Sequence, residues 1–300
     1  MGAPAEVRHR KPKLTPLDAV ILVALVAGAF YVFHRIRDGL HYRWEWEALP
    51  QYLFHRDPES QTWKANVLMD GFFTTIRLSI WATFLASLIG TAMGLMRLSA
   101  NRLRRWVASL YVELTRNTPP LVLVFLFYYF IGAQLIPHVG LEALLRRQSP
   151  ETQSLLTALL APPGHIVAFV SAVLTISIFE GAYITEIVRA GIQSIEQGQR
   201  EASAALGLTR WQGMRHVILP QAIQRILPPL GGQFISTIKD SAIVAVISIP
   251  ELTFRGMELM SATYLTFETW ITITALYFVL TFGCSLAFAR LEKAWRRERA

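Results

Sequence analysis

Long stretches of this chain contain no charged residue, which limits the folds that it can adopt. Charged side chains are absent from residues 78–96, 117–141, 152–179 and 269–289. Helices of water-soluble domains need a polar face, so they seldom leave so many consecutive positions uncharged. A bilayer core about 30 Å thick is crossed by roughly 20 apolar residues of helix. The pattern therefore predicts an all-α integral membrane protein.

About six transmembrane helices are predicted from these gaps and the apolar runs beside them. The first has a second interpretation, because basic residues before an apolar run and the small residues Ala27, Gly28 and Ala29 also occur in secretory signals. The apolar run continues through residues 30–33, past that possible cleavage site, which favours an uncleaved helix. The predicted spans are residues 16–34, 68–96, 107–136, 164–188, 222–249 and 268–290.

The positions of Lys and Arg indicate the orientation of these helices. Cytoplasmic loops of membrane proteins carry an excess of both residues. If the N-terminus is placed in the cytoplasm, most of the basic residues fall on that side, including clusters at 97–105 and 189–225. Both termini are therefore predicted to be cytoplasmic. The same distribution accounts for the net charge of +8, which in a soluble protein would suggest nucleic-acid binding.

The longest predicted inner loop, residues 189–221, has the sequence of two short helices with a bend between them. Residues 199–206 are rich in helix-forming residues, and Gly207 suits the C-terminal cap of that helix. Thr209 and Gln212 match a capping box that would begin the second helix. We therefore expect a folded unit that projects from the membrane, and call it the helical loop.

Three functions fit such a unit when it is considered alone: binding a partner, lying on the membrane, or binding DNA as a helix-turn-helix. The DNA interpretation is disfavoured because membrane spans lie on both sides and no soluble dimerising domain remains. Pro220 is also expected to shorten the second helix. A simple solvated connector is the remaining alternative.

Residues at fixed offsets in the helical loop resemble the cytoplasmic signature of ABC importer permeases. That signature is Glu-Ala-Ala, a Gly after three residues, an Ile after nine more, and Leu-Pro after one further residue. The spacing is kept throughout, with conservative departures at Ser203 and Val217. Residues 70–98, 113–120 and 182–192 also resemble the polar amino-acid uptake branch. The matching signature residues are Glu201, Ala202, Ser203, Gly207, Val217, Leu219 and Pro220.

The resemblance implies a five-helix importer core in a bacterial inner membrane, here with one extra N-terminal helix. The implied partners are a pair of ABC ATPase subunits, a second permease subunit (identical or paralogous), an extracytoplasmic substrate-binding protein and membrane lipid, with no nucleic acid. The sequence has no G-x-x-x-x-G-K-[ST] phosphate loop, so ATP and Mg²⁺ are expected on the ATPase. No catalytic residue, cofactor site or metal site is expected in this chain. The residues implied to couple it to the ATPase are Glu201, Ala202, Ser203, Gly207, Leu219 and Pro220.

The expected division of the chain has three parts. Residues 1–66 would comprise a cytoplasmic N-terminus, the extra transmembrane helix and an extracytoplasmic loop. Residues 67–290 would form the permease transmembrane domain, with the helical loop as its cytoplasmic coupling loop. Residues 291–300 would be a basic cytoplasmic tail.

Ionisable residues inside the predicted spans are candidates for the substrate path, because a charge in the membrane is costly. Glu180 lies within the fourth span, and Lys239 and Asp240 interrupt the fifth. An amino acid carries an ammonium and a carboxylate, so residues of both charges would suit it. Pairing between helices that stabilises the bundle is the alternative. Arg77 and Arg116 lie near span ends, where snorkelling to the interface explains them.

The sequence gives less support to other functional classes. A membrane enzyme would need a nucleophile–base pair or a metal cluster, and neither spacing is present. A secondary transporter would predict an internal repeat and would leave the helical loop unexplained. A membrane-tethered regulator would bind DNA. The substrate is expected to be an amino acid, with another small polar solute such as an osmolyte or opine as the alternative.

Overall fold

The computed structural model describes residues 16–39, 42–59, 61–132, 134 and 136–297. The basic residues 8–13, predicted to be cytoplasmic, lie outside these ranges, as do residues 298–300 of the predicted tail. The chain separates into two units, Met1–Trp44 and Glu45–Ala300. The first unit contains helix α1 (Pro16–Gly39). The described side chains of α1 are exposed.

The second unit holds the remaining elements. A short antiparallel hairpin, β1 (Phe54–Arg56) and β2 (Trp63–Ala65), precedes the first long helix of the unit. The described helices are α2 (Pro50–Leu53), α3 (Val67–Arg97), α4 (Arg102–Arg116), α5 (Pro120–Phe127), α6 (Leu141–Arg146), α7 (Pro150–Leu159), α8 (Ile166–Gln193), α9 (Gln197–Ala205), α10 (Arg210–Gly213), α11 (Leu219–Asp240), α12 (Leu252–Thr263) and α13 (Thr266–Arg297).

Four helical runs in the described part of the chain are long and apolar enough to cross a membrane. They are Val67–Arg97, Ile166–Gln193, Arg210–Ile247 and Thr266–Ala294. They correspond to the second, fourth, fifth and sixth predicted spans, so the all-α membrane class is confirmed. The apolar parts of the other two predicted spans are shorter, Pro16–Val32 and Pro120–Phe130.

The third predicted span, residues 107–136, is wrong as a continuous helix. The structure breaks it at residues 117–119 into α4 and α5, and a π-helical turn at Tyr128–Gly132 follows. Pro119 adopts an extended conformation, with φ −55° and ψ 133°. Consecutive prolines cause the break, because a proline disfavours helical geometry in the residue before it and lacks the N–H that a helix interior requires.

The run from α10 to α11 overturns the expectation that Pro220 shortens the second helix of the loop. Helical structure continues from Arg210 to Ile247 through a π-helical turn at Met214–Ile218. Pro220 lies in the first turn of α11. A proline clashes with the carbonyl four residues earlier in an α-helix, and the wider π turn is the form in which this chain accommodates it.

Small residues at intervals of four on α3 position the core of the bundle against α8. Ala82, Ala86, Gly90 and Gly94 are all buried. A methyl group on Gly90 would lie 2.6 Å from the Ile184 side chain and 3.0 Å from the carbonyl oxygen of Gly181. In lipid, helices associate by close van der Waals contact, which small residues permit. The same four-residue spacing is visible in the sequence.

Candidate functional site

The helical loop, residues 189–221, begins in the last turn of α8, continues through α9, a tight turn and α10, and ends in the first turn of α11. Gly207 has φ +78°, a left-handed conformation that favours glycine. The N–H of Leu208 donates to the Ser203 carbonyl at 3.1 Å, and the N–H of Gly207 donates to the Ala204 carbonyl at 3.0 Å. This is a Schellman turn, so the predicted role of Gly207 as a helix cap is confirmed.

The start of α10 has the predicted capping box. The Gln212 N–H donates to the Thr209 hydroxyl oxygen at 3.3 Å, and the Thr209 N–H donates to the Gln212 side-chain oxygen at 2.9 Å. Ser203, which replaces the Ala of the signature, is buried against Gly213, where an added methyl group would lie 2.9 Å from its hydroxyl oxygen. The serine hydroxyl donates to the Arg200 carbonyl at 2.8 Å. The substitution is therefore accommodated without an unpaired buried hydroxyl.

Side chains hold the helical loop against the ends of α8 and α11. The Arg200 guanidinium donates to the Ile192 carbonyl at 2.9 Å, and Arg225 donates to the Ser194 carbonyl. The Gln221 amide donates to the Gln199 side chain at 3.2 Å. A force applied to α9 can therefore reach both long helices through these contacts.

The outer surface of the helical loop is exposed and partly apolar. Glu201 and Ala202 are exposed on α9. Leu206 is 81% exposed and Trp211 is 69% exposed. Large apolar side chains fixed on a rigid projecting turn are typical of a surface that binds a partner. Leu219 and Pro220 instead lie at the base of the loop, where α11 begins.

An ion-pair network at the loop end of the bundle was missed in the sequence analysis. Glu186 of α8 forms salt bridges with Arg97 of α3 and with Arg189, the latter at 2.7 Å. Arg116 lies over the Tyr183 ring, 5.4 Å from its centroid, and is therefore anchored by a cation–π contact. The network joins α3, α4 and α8 close to the loop.

The predicted path residues are brought together only in part. Glu180 is fully buried, and its Oε2 accepts a hydrogen bond from the Gln233 amide of α11. Asp240 lies two turns from Gln233 on α11, and its carboxyl group interacts with that of Glu180. Lys239 is exposed and acts electrostatically on Asp240. Gln233 was missed because its uncharged amide gives no signal in a search for charges.

A second buried carboxylate lies at the opposite end of the bundle from the helical loop. Glu251 caps α12 and accepts hydrogen bonds from the Phe254 N–H at 2.8 Å and the Tyr277 hydroxyl at 2.8 Å. Thr75 of α3 is also in contact, at 3.4 Å. Burial raises the pKa of Glu251 to about 7, although these hydrogen bonds act in the opposite direction. Glu251 was not among the predicted site residues, because it lies beyond the predicted spans.

Within the described residues, no group of three or more His, Cys, Asp or Glu side chains is arranged to hold a metal ion. The four long apolar helical runs and the structured helical loop define an integral membrane protein.

Comparison with known families identifies this class of protein. Residues 71–297 match the family described as the binding-protein-dependent transport system inner membrane component. The chain belongs to this family, and is therefore a permease subunit of an ABC importer, a transport component and not an enzyme. The resemblance based on the helical loop is confirmed.

Curated relatives agree with this assignment. The chain is 32% identical over 228 residues to the probable glutamine ABC transporter permease protein of Bacillus subtilis, covering 76% of this chain and 93% of the relative. It is 34% identical over 235 residues to the glutamine transport system permease protein of Escherichia coli, covering 78% and 95%. The E. coli glutamate/aspartate import permease is 31% identical over 253 residues, covering 84% and 95%.

Solved structures show the same fold. The crystal structure of an amino acid ABC transporter with histidines has a TM-score of 0.61 and 36% identity, covering 76% of this chain and 94% of that one. An inward-facing structure of the MetNI methionine ABC transporter has a TM-score of 0.55 and 20% identity, covering 76% and 95%, and shows the fold alone.

Proposed function

We propose that this chain forms the translocation path for a polar amino acid and that the helical loop transmits the movement of a separate ATPase. The observation that carries the coupling role is the rigid, exposed surface of α9 and its turn, with Leu206 and Trp211 projecting from it. Glu201, Ala202 and Gly207 are the proposed docking residues. Ser203, Leu219 and Pro220 hold this surface on the bundle.

The proposed cycle needs two further kinds of partner. An extracytoplasmic binding protein delivers the substrate, and a second permease subunit, identical or paralogous, completes the path. ATP and Mg²⁺ bind to the paired ATPase subunits. Closure of the ATPase pair pushes α9, and the contacts from Arg200 and Gln221 pass that movement to α8 and α11.

An amino acid is the proposed substrate because the curated relatives are named for glutamine and for glutamate and aspartate. Within the membrane, Glu180 and Asp240 would attract its ammonium group and Lys239 its carboxylate. The contact between Glu180 and Gln233 equally fits pairing between helices. An osmolyte or an opine is the alternative substrate.

The coupling role is tested by purifying the full chain from its native cells with a mild detergent and measuring the ATPase that accompanies it. Gly207→Asp should abolish recovery of the ATPase. Gly140→Asp is the matched control, because Gly140 also has positive φ and open space around it, but lies between α5 and α6. Recovery that is equal for both variants, or absent for wild type, would contradict the proposal.

The proposed orientation places both termini and the helical loop in the cytoplasm. In a Cys284→Ser background, a membrane-impermeant maleimide should label Gly140→Cys in intact cells and Gly198→Cys only after lysis. The reverse pattern would invert the topology.

The path role is tested by uptake in proteoliposomes that contain the complete transporter and its binding protein. We expect uptake of radiolabelled glutamine but not of glycine betaine or octopine. Asp240→Asn should raise KM about tenfold or more, as loss of one charged contact predicts, and leave thermal stability unchanged. An unchanged KM would favour a purely structural role.

A further inference from the structure

A cavity lies at the end of the bundle opposite the helical loop, where α3 and α8 begin. Its volume is about 250 Å³. Asp70 and Arg77 of α3, Phe169 of α8 and Arg255 of α12 line it, and Ile249 contributes an apolar wall. Two arginines facing one small cavity in a membrane protein form a costly arrangement that calls for a functional explanation.

Arg77 enters this cavity instead of extending to the membrane surface. Its guanidinium donates to the Thr157 carbonyl at 2.7 Å, the Thr74 hydroxyl at 3.0 Å and the Phe73 carbonyl at 3.3 Å. These acceptors are all uncharged, and a guanidinium carries more N–H donors than they use. Its charge therefore remains available to an anion, since it forms no salt bridge with any residue in the described ranges.

Arg255 supplies a second available donor. Its Nη1 donates to Glu258 at 2.8 Å, but its Nε is buried and has no hydrogen-bond partner among the described residues. Gly71 makes this position possible, because a methyl group there would lie 2.9 Å from the arginine Cγ. A buried donor without an acceptor is unfavourable by itself, so the Arg255 guanidinium has hydrogen-bonding capacity that the described residues do not use.

Asp70 adds the opposite charge to the same cavity. It precedes Arg77 by two helical turns, so both residues lie on one face of α3. Both arginines act on its carboxylate electrostatically. The cavity therefore combines two cationic groups, one anionic group and the buried apolar side chains of Phe169 and Ile249.

We propose that this cavity is a receiving site for the backbone of a free amino acid. The carboxylate binds between Arg77 and Arg255, the ammonium group binds Asp70, and the side chain lies against Phe169 and Ile249. The inference rests on the proposed transport of an amino acid and adds to it a site at the predicted outer end of the path, apart from the Glu180 cluster. A guanidinium fork suits a carboxylate in particular.

The test measures binding of radiolabelled L-glutamine to the full chain in lipid nanodiscs without the binding protein. Two competitors separate the recognised groups: glutaminamide lacks the carboxylate and glutaramic acid lacks the ammonium group. Wild type should bind L-glutamine about tenfold or more tightly than either analogue.

The variants should remove these preferences one at a time. Arg255→Gln should abolish discrimination against glutaminamide, and Asp70→Asn should abolish discrimination against glutaramic acid. Arg77→Gln should act like Arg255→Gln, but it also removes the contact with Thr157. If Arg77→Gln fails to fold, Arg255→Gln decides the test. Arg102→Gln, exposed at the start of α4, is the control and should leave binding unchanged.

Three results overturn the proposal, and they can be distinguished. If the complete transporter takes up glutamine while the wild-type chain does not discriminate between glutamine and its analogues, the site is wrong and the proposed function stands. If the complete transporter takes up no amino acid, the proposed function and this site fall together. Retained discrimination in Arg255→Gln also overturns the site.

Discussion

The most apolar stretches of helices α8 and α13 have the same mean hydropathy, yet they occupy opposite environments. In α8, 67% of the most apolar stretch is buried inside the chain, whereas in α13 only 6% is buried. α8 buries small and hydroxyl-bearing residues such as Ser177, Gly181 and Thr185 against its neighbours. α13 instead presents large side chains, including Phe278 and Phe282, outward.

Hydropathy therefore places a helix in the membrane but does not select the helices that pack against it. Lipid is as apolar as a leucine side chain, so burial of apolar surface does not drive helices together there. Helices are instead held together by close contact between small residues and by hydrogen bonds from hydroxyl groups. Ser177 of α8, for example, donates to the Ala82 carbonyl of α3 at 3.1 Å.

The largest expected effect concerns Glu251, which ties α13 to the rest of the bundle through Tyr277. The pKa of Glu251 in the folded chain is about 7, above its ordinary value of 4.5. The folded state therefore holds this proton more tightly, so the stabilisation is complete below about pH 4.5 and is lost as the pH rises through 7. The loss should reach about 3 kcal/mol.

Thermal unfolding of the full chain in detergent between pH 5 and pH 8 measures this loss. Glu251→Gln should flatten the pH dependence, whereas Glu258→Gln, on the exposed face of the same helix, should not. An unaltered pH profile in Glu251→Gln would show that another group is responsible.

The next effect compares a glycine of the α3–α8 interface with one on α13. Gly90→Ala should lower the free energy of unfolding by about 2 kcal/mol, because the new methyl group meets Ile184. Gly283→Ala has open space around it and should raise stability by up to about 1 kcal/mol through helix propensity. Equal effects at the two positions, measured by unfolding in detergent, would remove the distinction between the helices.

Tyr277→Phe should have a smaller effect, a loss of about 1 kcal/mol, because it removes one hydroxyl from the contact with Glu251 and Thr253. Tyr264→Phe is the control, since Tyr264 is 81% exposed. Thermal unfolding at pH 5 measures both variants. No difference between them would mean that the Tyr277 hydroxyl does not contribute to the stability of the fold.

The smallest effect is expected on the outward face of α13. Phe278 and Phe282 stack with ring centroids 5.4 Å apart and are both exposed. Replacing both with Ala should change the stability of the isolated chain by no more than about 0.5 kcal/mol. A loss of several kcal/mol in the assembled transporter, absent in the isolated chain, would show that a partner subunit covers this face.

Much of the fold could be predicted because membrane spans and helix caps are local signals. The error in the third span has a local cause as well, since the prolines at 119 and 120 outweigh the absence of charge around them. The continuous helix through Pro220 could not be predicted, because the π turn that accommodates the proline has no sequence signal used here. Arg77 was interpreted as snorkelling because its partner Thr157 is far away in the chain.

The membrane class, the family and the form of the helical loop follow from local sequence, because charge-free length, the Gly207 turn and the Thr209 capping box depend only on nearby residues. The pairing of distant side chains, Glu180 with Gln233 and Glu251 with Tyr277, arises only when the helices pack. Tertiary structure also decided that α8 is buried and α13 exposed. These outcomes depend on how the helices pack, and packing in lipid follows the shapes of facing surfaces more than their hydrophobicity.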